Sequence, residues 1–194
     1  MKTKLLLLAI LLSATISHAA SFKWSAAAPA AFDGTKLEGT AKGYLVYLGT
    51  STSASDLFTI DYTAPGTITP ATSVQNVTSG TGRAAGAISA TYKDTDTGDD
   101  GHHVATGAHF GMFLVYNDGT DTWYNFSSTV ATITTDATGA FEAKSFAFDY
   151  STKTTIESDG QTPSGWTKIN IVPEPSTAIL ALAGLALLIK RRRA

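Results

Sequence analysis

The stretch that decides the fold is His109-Phe110-Gly111-Met112-Phe113-Leu114-Val115-Tyr116, followed by Asn117-Asp118-Gly119-Thr120-Asp121 and then by Trp123-Tyr124-Asn125-Phe126. Aromatic and β-branched residues crowd both arms, and such side chains fit a pleated, half-buried surface. The residues between them are turn formers: Asn and Asp side chains bond their own backbone, and Gly119 takes a positive φ without a Cβ clash. The stretch is predicted to be a β-hairpin with strands over 109–116 and 123–134.

Outward from the hairpin the same grammar repeats. Ser- and Thr-rich runs with aliphatic and aromatic residues alternate with Gly, Asp and Asn clusters, which predicts further strands over 37–48, 58–62, 73–78, 83–93, 141–150 and 166–171. Apolar residues fall on both faces of 141–148, as expected of a central strand covered on both sides. Gly43-Tyr44-Leu45-Val46-Tyr47 echoes Gly111 to Tyr116 through a shared Leu-Val-Tyr, and no longer repeat is present, which disfavours a solenoid. Eight short strands fit two packed sheets. The expected fold is all-β, an antiparallel β-sandwich of jelly-roll-like type, flanked by an N-terminal signal helix and a C-terminal hydrophobic helix.

The chain has 194 residues and no cysteine, enough for one domain with short appendages and incompatible with disulfides, thiolate zinc sites or thiol nucleophiles. Charge is segregated. Residues 20–171 hold eight Lys and Arg against fifteen Asp and Glu, a net of −7, while the remaining basic residues crowd the two ends. An acidic domain repels nucleic acid and anionic lipid, so no nucleic-acid partner is expected and the terminal cations read as topology signals.

The N-terminal end places Lys2 and Lys4 before the apolar run Leu5 to Leu12, and Ser17-His18-Ala19 offers small residues to a signal peptidase. Residues 1–19 are read as a signal peptide cleaved between Ala19 and Ala20. The run is too short to cross ~30 Å of hydrocarbon at ~1.5 Å per residue. The C-terminal end has three parts: Val172-Pro173-Glu174-Pro175, an apolar stretch from Ala178 to Ile189, and Lys190-Arg191-Arg192-Arg193. The prolines stop an incoming strand, the apolar stretch partitions into a bilayer, and the cations stay on the cytoplasmic side. As a helix, the twelve apolar residues span only ~18 Å, which suits a removable signal better than a lasting anchor.

These parts, in this order, resemble the PEP-CTERM sorting signal of Gram-negative bacteria. The resemblance covers 172–194 and implies recognition by an exosortase, a multispan membrane protease and transpeptidase. It further implies cleavage near the motif, transient tethering at the inner membrane, and delivery to the cell surface or an extracellular polysaccharide matrix, with exopolysaccharide as a partner. The chain would then be an exosortase substrate. The domain organisation expected is a signal peptide at 1–19, an exported β domain at 20–171 and the sorting signal at 172–194.

Within the domain the most charged loop runs from Asp94 to His103. Asp94, Asp96, Asp99 and Asp100 on a Gly-punctuated loop are the candidate calcium ligands, although the spacing fails the EF-hand pattern: Gly98 falls where a ligand is wanted and no Glu stands at the twelfth position. The alternative is a solvated acidic turn, and no other cofactor is expected. His102 and His103 are adjacent, point to opposite faces of an extended chain, and make a poor chelating pair even with His109. No Gly-x-Ser-x-Gly or His-Glu-x-x-His is present, and Glu38, Glu142 and Glu157 form no recognisable pair, so no catalytic residue is assigned. Trp24, Tyr44, Tyr47, Trp123, Tyr124 and Trp166 would stack on sugar rings if exposed in a row, and would otherwise fill the core. A structural or carbohydrate-associated protein is expected; the alternatives are an exported hydrolase acting on polysaccharide and a calcium-stabilised adhesion module.

Overall fold

In the computed structural model, which describes residues 21–63, 66–93, 104, 106–134 and 141–171, the 117–121 turn is closed by its own side chains. Asn117 Oδ1 accepts from the Gly119 amide at 2.8 Å, and Asp118 Oδ1 accepts from the amides of Thr120 at 2.9 Å and Asp121 at 2.8 Å. Gly119 adopts φ 97°, a conformation that L side chains rarely adopt.

The strands in chain order are β1 (Ser21–Ala26), β2 (Ala31–Phe32), β3 (Thr35–Lys36), β4 (Lys42–Gly49), β5 (Phe58–Asp61), β6 (Thr67–Pro70), β7 (Ser73–Thr78), β8 (Ser89–Lys93), β9 (His109–Asn117), β10 (Thr122–Phe126), β11 (Ala131–Thr132), β12 (Phe141–Phe146), β13 (Lys153–Ile156) and β14 (Trp166–Ile169). The only helical pieces among the described residues are the 3-10 turns Ala54–Leu57 and Gly82–Ala84, so the fold is all-β as expected. The strands assemble as a small sheet, β12-β1-β8, and a large one, β13-β14-β10-β9-β4-β7, with β11 pairing β9 end to end with β10. Two small hairpins, β2-β3 and β5-β6, complete the set.

Alternation along β1 explains how the two sheets meet. Phe22, Trp24 and Ala26 are buried while Lys23 is exposed, so one face of β1 is committed to the core. Phe22 stacks on Phe110 of β9 with centroids 5.3 Å apart, and Trp24 Nε1 donates to Gln75 Oε1 of β7 at 2.8 Å. Gly43 of β4 makes room for this approach: a Cβ there would stand 2.6 Å from Met112 Cε and 3.4 Å from Trp24. Each large apolar side chain so buried contributes about 1.5–3 kcal/mol. Phe32 lies among Tyr116, Trp123 and Trp166, with centroids 4.9, 5.3 and 5.7 Å away, and the Trp166 indole donates to the Ala31 carbonyl at 2.8 Å.

Several expectations need correction. The sheets are mixed: β1 pairs β12 in parallel, and β13 pairs β14 in parallel, where antiparallel pairing throughout was expected. β1 and β12, distant in the chain, are brought together by core packing, and β13 and β14 are joined by the 157–165 connection, so no tight hairpin turn dictates the direction of either pair. Within 141–150 the strand ends at Phe146, and this strand, β12, lies at the edge of the small sheet and not at its centre; Ala143 and Ser145 on its outer face are exposed, and Phe146 is buried on its inner face. The 123–134 strand breaks after Phe126: Ser127 donates its amide to the Met112 carbonyl and accepts the Met112 amide on Oγ, which lets the chain bulge before β11 resumes the ladder. The 83–93 strand starts only at Ser89, after the Gly82–Ala84 turn, and 37–48 starts at Lys42. Strands β1, β2, β3, β6 and β13 were not anticipated. The β2-β3 hairpin carried a readable signal, since Asp33 and Gly34 both take positive φ, 51° and 73°, in a two-residue Asp-Gly turn. The Leu-Val-Tyr echo has a simple spatial meaning: the two segments are direct neighbours, with Tyr44 opposite Phe113 and Leu45 opposite Met112.

Candidate functional site

Most residues singled out in the sequence lie outside the described residues: Ala19 and Ala20; Asp94, Asp96, Asp99, Asp100, His102 and His103; Val172 to Pro175; and Lys190 to Arg193. The structure places the chain that adjoins these segments. The acidic loop leaves from Lys93, which stands opposite Ser21 at the start of β1. The C-terminal segment leaves after Ile171, following β14. These exits are at opposite ends of the sheets, because Phe22 packs on Phe110 at the start of β9 whereas Lys168 reaches Asp121, 2.6 Å away, in the turn at its end. Among the described residues no helix is long and apolar enough to cross a membrane, and the 178–189 stretch expected to enter the bilayer is not among them.

Of the remaining candidates, His109 opens β9 half-buried with Nδ1 3.1 Å from the Gly49 carbonyl. Among the described residues no three His, Asp or Glu side chains are grouped to hold a metal. The three glutamates sit apart. Glu38 is exposed after β3 and Glu157 is exposed after β13, while Glu142 on β12 is ion-paired with Lys144 at 2.7 Å. Burial pushes the Glu142 carboxyl up, but Lys144 and Thr134 together outweigh it and hold the group below its ordinary value.

The six aromatic candidates divide by face. Trp24, Trp123 and Trp166 are buried and Tyr47 packs its ring edge on Phe110, 5.4 Å away, so these four belong to the core and no row of six is exposed. Tyr44 and Tyr124 lie on the other face of the large sheet. There Tyr44, Phe113 and Phe126 occupy one register line across β4, β9 and β10, stacked at 4.7 and 5.8 Å, and Phe58 closes on Phe126 at 3.9 Å. Leu57 fits over Gly111, where a Cβ would overlap its side chain. This second cluster covers a hollow of about 250 Å³ between Tyr44, Tyr124, Ile68 and Pro70. Burial, and to a smaller extent the neighbouring Tyr44, push the Tyr124 hydroxyl above its ordinary value.

A larger cleft, of about 350 Å³, opens where β10 and β14 part. The two strands share the single register pair Tyr124–Thr167, and beyond it, on the side away from the 117–121 turn, their backbones separate. One wall is Phe58 and Phe126 with Ala54 and Ser55; the other is the 162–165 segment; Asn125, Ser127, Ser128 and Asp149 complete it. The 162–165 wall is pinned by Ser164, whose amide donates to Thr167 Oγ1 at 3.1 Å and whose carbonyl accepts from Thr154 Oγ1 at 2.9 Å. Asn125 is buried; its amide nitrogen donates to the Asp149 carbonyl at 2.6 Å and its Oδ1 has no partner among the described residues. The Asp149 carboxylate is engaged by Thr152 and Ser151, whose hydrogen bonds hold it well below the usual carboxylate range. The cleft therefore combines an apolar wall with amide and hydroxyl groups, and no cation lines it among the described residues.

No curated protein and no solved structure matches the chain. A family model of the PEP-CTERM protein-sorting motif matches residues 172–194, the whole of the segment read as tripartite in the sequence. Such a motif implies processing by an exosortase, a membrane protein, with export and sorting to the cell surface. The polypeptide that leaves β14 at Ile169 thus continues through Ile171 into a PEP-CTERM protein-sorting motif, and the chain carries that motif at its C-terminus.

Proposed function

We propose that this is an exported surface or extracellular-matrix protein with a structural or carbohydrate-associated role, and that it is the substrate of an exosortase and not itself an enzyme. The observation that carries the reading is the sorting motif at 172–194, which begins at the residue after Ile171. A signal peptidase cut between Ala19 and Ala20 would leave one residue before β1, so both processing sites would flank the β domain closely. The domain itself is read as a two-layered, jelly-roll-like sandwich, supported by the Phe22–Phe110 stacking between the small and large sheets. With no cysteine to cross-link it, the domain relies on this packing to persist outside the cell.

Intact mass spectrometry of the surface, medium and membrane fractions of the native cell tests the reading. The expected species starts at Ala20 and ends between Pro173 and Ser176, with or without an attached group. A protein recovered only in the membrane fraction and still containing 178–194 would overturn exosortase processing and leave a lasting anchor.

A further inference from the structure

We infer that the cleft between β10 and β14 is a binding site for a neutral saccharide, presented on the part of the domain away from its C-terminal attachment. The inference rests on the carbohydrate-associated reading above and gives it a location. Phe58 and Phe126 supply an apolar wall of the kind that covers the C–H face of a sugar ring, and Ser55, Ser128 and Ser164 line the same cleft with hydroxyl groups. Asn125 Oδ1, a buried acceptor beside the cleft without a partner among the described residues, favours an occupant rich in donors. Among the described residues of the lining, Asp149 is the one ionised group, its carboxylate is consumed by its own turn, and no lysine, arginine or histidine is present, so these residues do not select a charged ligand. The volume, about 350 Å³, lies in the range of small-molecule sites. Position also fits. The cleft is lined by Ser164 and Gly165 before β14 and the sorting motif follows after it, so six residues of extended chain separate them by about 20 Å.

The test uses the full chain in detergent on an array of neutral hexose and pentose oligosaccharides alongside uronic-acid oligosaccharides. Ser128 and Ser55 both line the cleft and are exposed, so Ser128→Trp and Ser55→Trp fill it without disturbing the core. The expected result is binding to a neutral oligosaccharide that falls by about tenfold or more in each filled variant, with the melting temperature unchanged, and that survives in Tyr44→Ala, which alters the separate hollow. Neutral binding that persists in both filled variants would overturn the cleft assignment while leaving the carbohydrate-associated reading in place. Absence of binding to every neutral oligosaccharide, or binding to uronic acids alone, overturns the inference; the surface-sorting reading is judged separately by the mass of the processed chain.

Discussion

Trp24 Nε1 and Gln75 Oε1, 51 positions apart, are joined by a 2.8 Å hydrogen bond that runs from the small sheet to the large one. Gln75 then donates its own amide to the Thr91 carbonyl of β8 at 3.2 Å, so a single side chain on β7 ties down both β1 and β8. The fully buried indole has this partner, and without it the donor would be stranded in a low-dielectric interior. Gln75→Ala is expected to lower stability by about 1–3 kcal/mol, measured by urea denaturation, and Trp24→Phe in the Gln75→Ala background should cost less than it does alone. Equal costs in the two backgrounds would show that the bond contributes nothing.

Gly43 and Gly111 act through space. A Cβ at Gly43 would press on Met112 and Ile88 between the sheets, and one at Gly111 would overlap Leu57 on the outer face. Gly43→Ala and Gly111→Ala are each expected to cost about 1–3 kcal/mol by overpacking. They should differ in one readout: Gly111→Ala combined with Leu57→Ala should recover part of the loss, since the clash partner is then removed. Thermal melts of the single and double variants decide the point.

Acid should weaken the domain through two turns. Asp149 is held low by Thr152 and Ser151, and Asp118 is held low by the amides of Asp121 and Thr120 with help from the Trp123 indole, which donates to it at 2.8 Å. Both folded-state values lie below the unfolded one, so their stabilisation is present in full above about pH 4 and is lost as pH falls through the lowered values. The melting temperature is expected to be flat near neutrality and to fall below about pH 4. Asp149→Asn and Asp118→Asn should start lower at neutral pH and lose less on acidification; an acid-induced fall as steep as that of the parent would show that these carboxylates are not responsible.

Calcium removal supplies a fourth check. Asp94, Asp96, Asp99 and Asp100 lack the EF-hand spacing, and the reading of this loop as a solvated acidic turn requires no bound ion for stability. The melting temperature is expected to stay the same with and without a chelator. A fall that calcium reverses would instead assign those residues as ligands, because an ion bound only by the folded form stabilises it by mass action.

The hairpin was legible because its information is local: Asn117, Asp118 and Gly119 carry the turn chemistry, and the aromatic and β-branched residues on either side carry the strand propensity. The same locality holds for both ends of the chain, where order along the sequence is itself the signal. The Asp33-Gly34 hairpin was equally local, flanked by strands of only two residues each. The cleft was not legible. Its walls come from Ser55 and Phe58, from Asn125 to Ser128, from Asp149 and from Ser164, segments that meet only because β10 and β14 share one register pair and then part.

By itself, then, the sequence determined the all-β class, the central hairpin and the sorting signal, since propensity, turn chemistry and contiguous motifs act over a few residues. Tertiary structure alone decided that β1 and β12 run parallel, that Trp24, Trp123 and Trp166 fill the core while Tyr44 and Tyr124 face outward, and that a cleft opens beside Asn125. The physical reason is that these features depend on which distant residues become neighbours. Trp166 bonds Ala31 across 135 positions and Tyr150 bonds Ala27 across 123, and packing of the whole core, which no short window of sequence contains, selects such pairs.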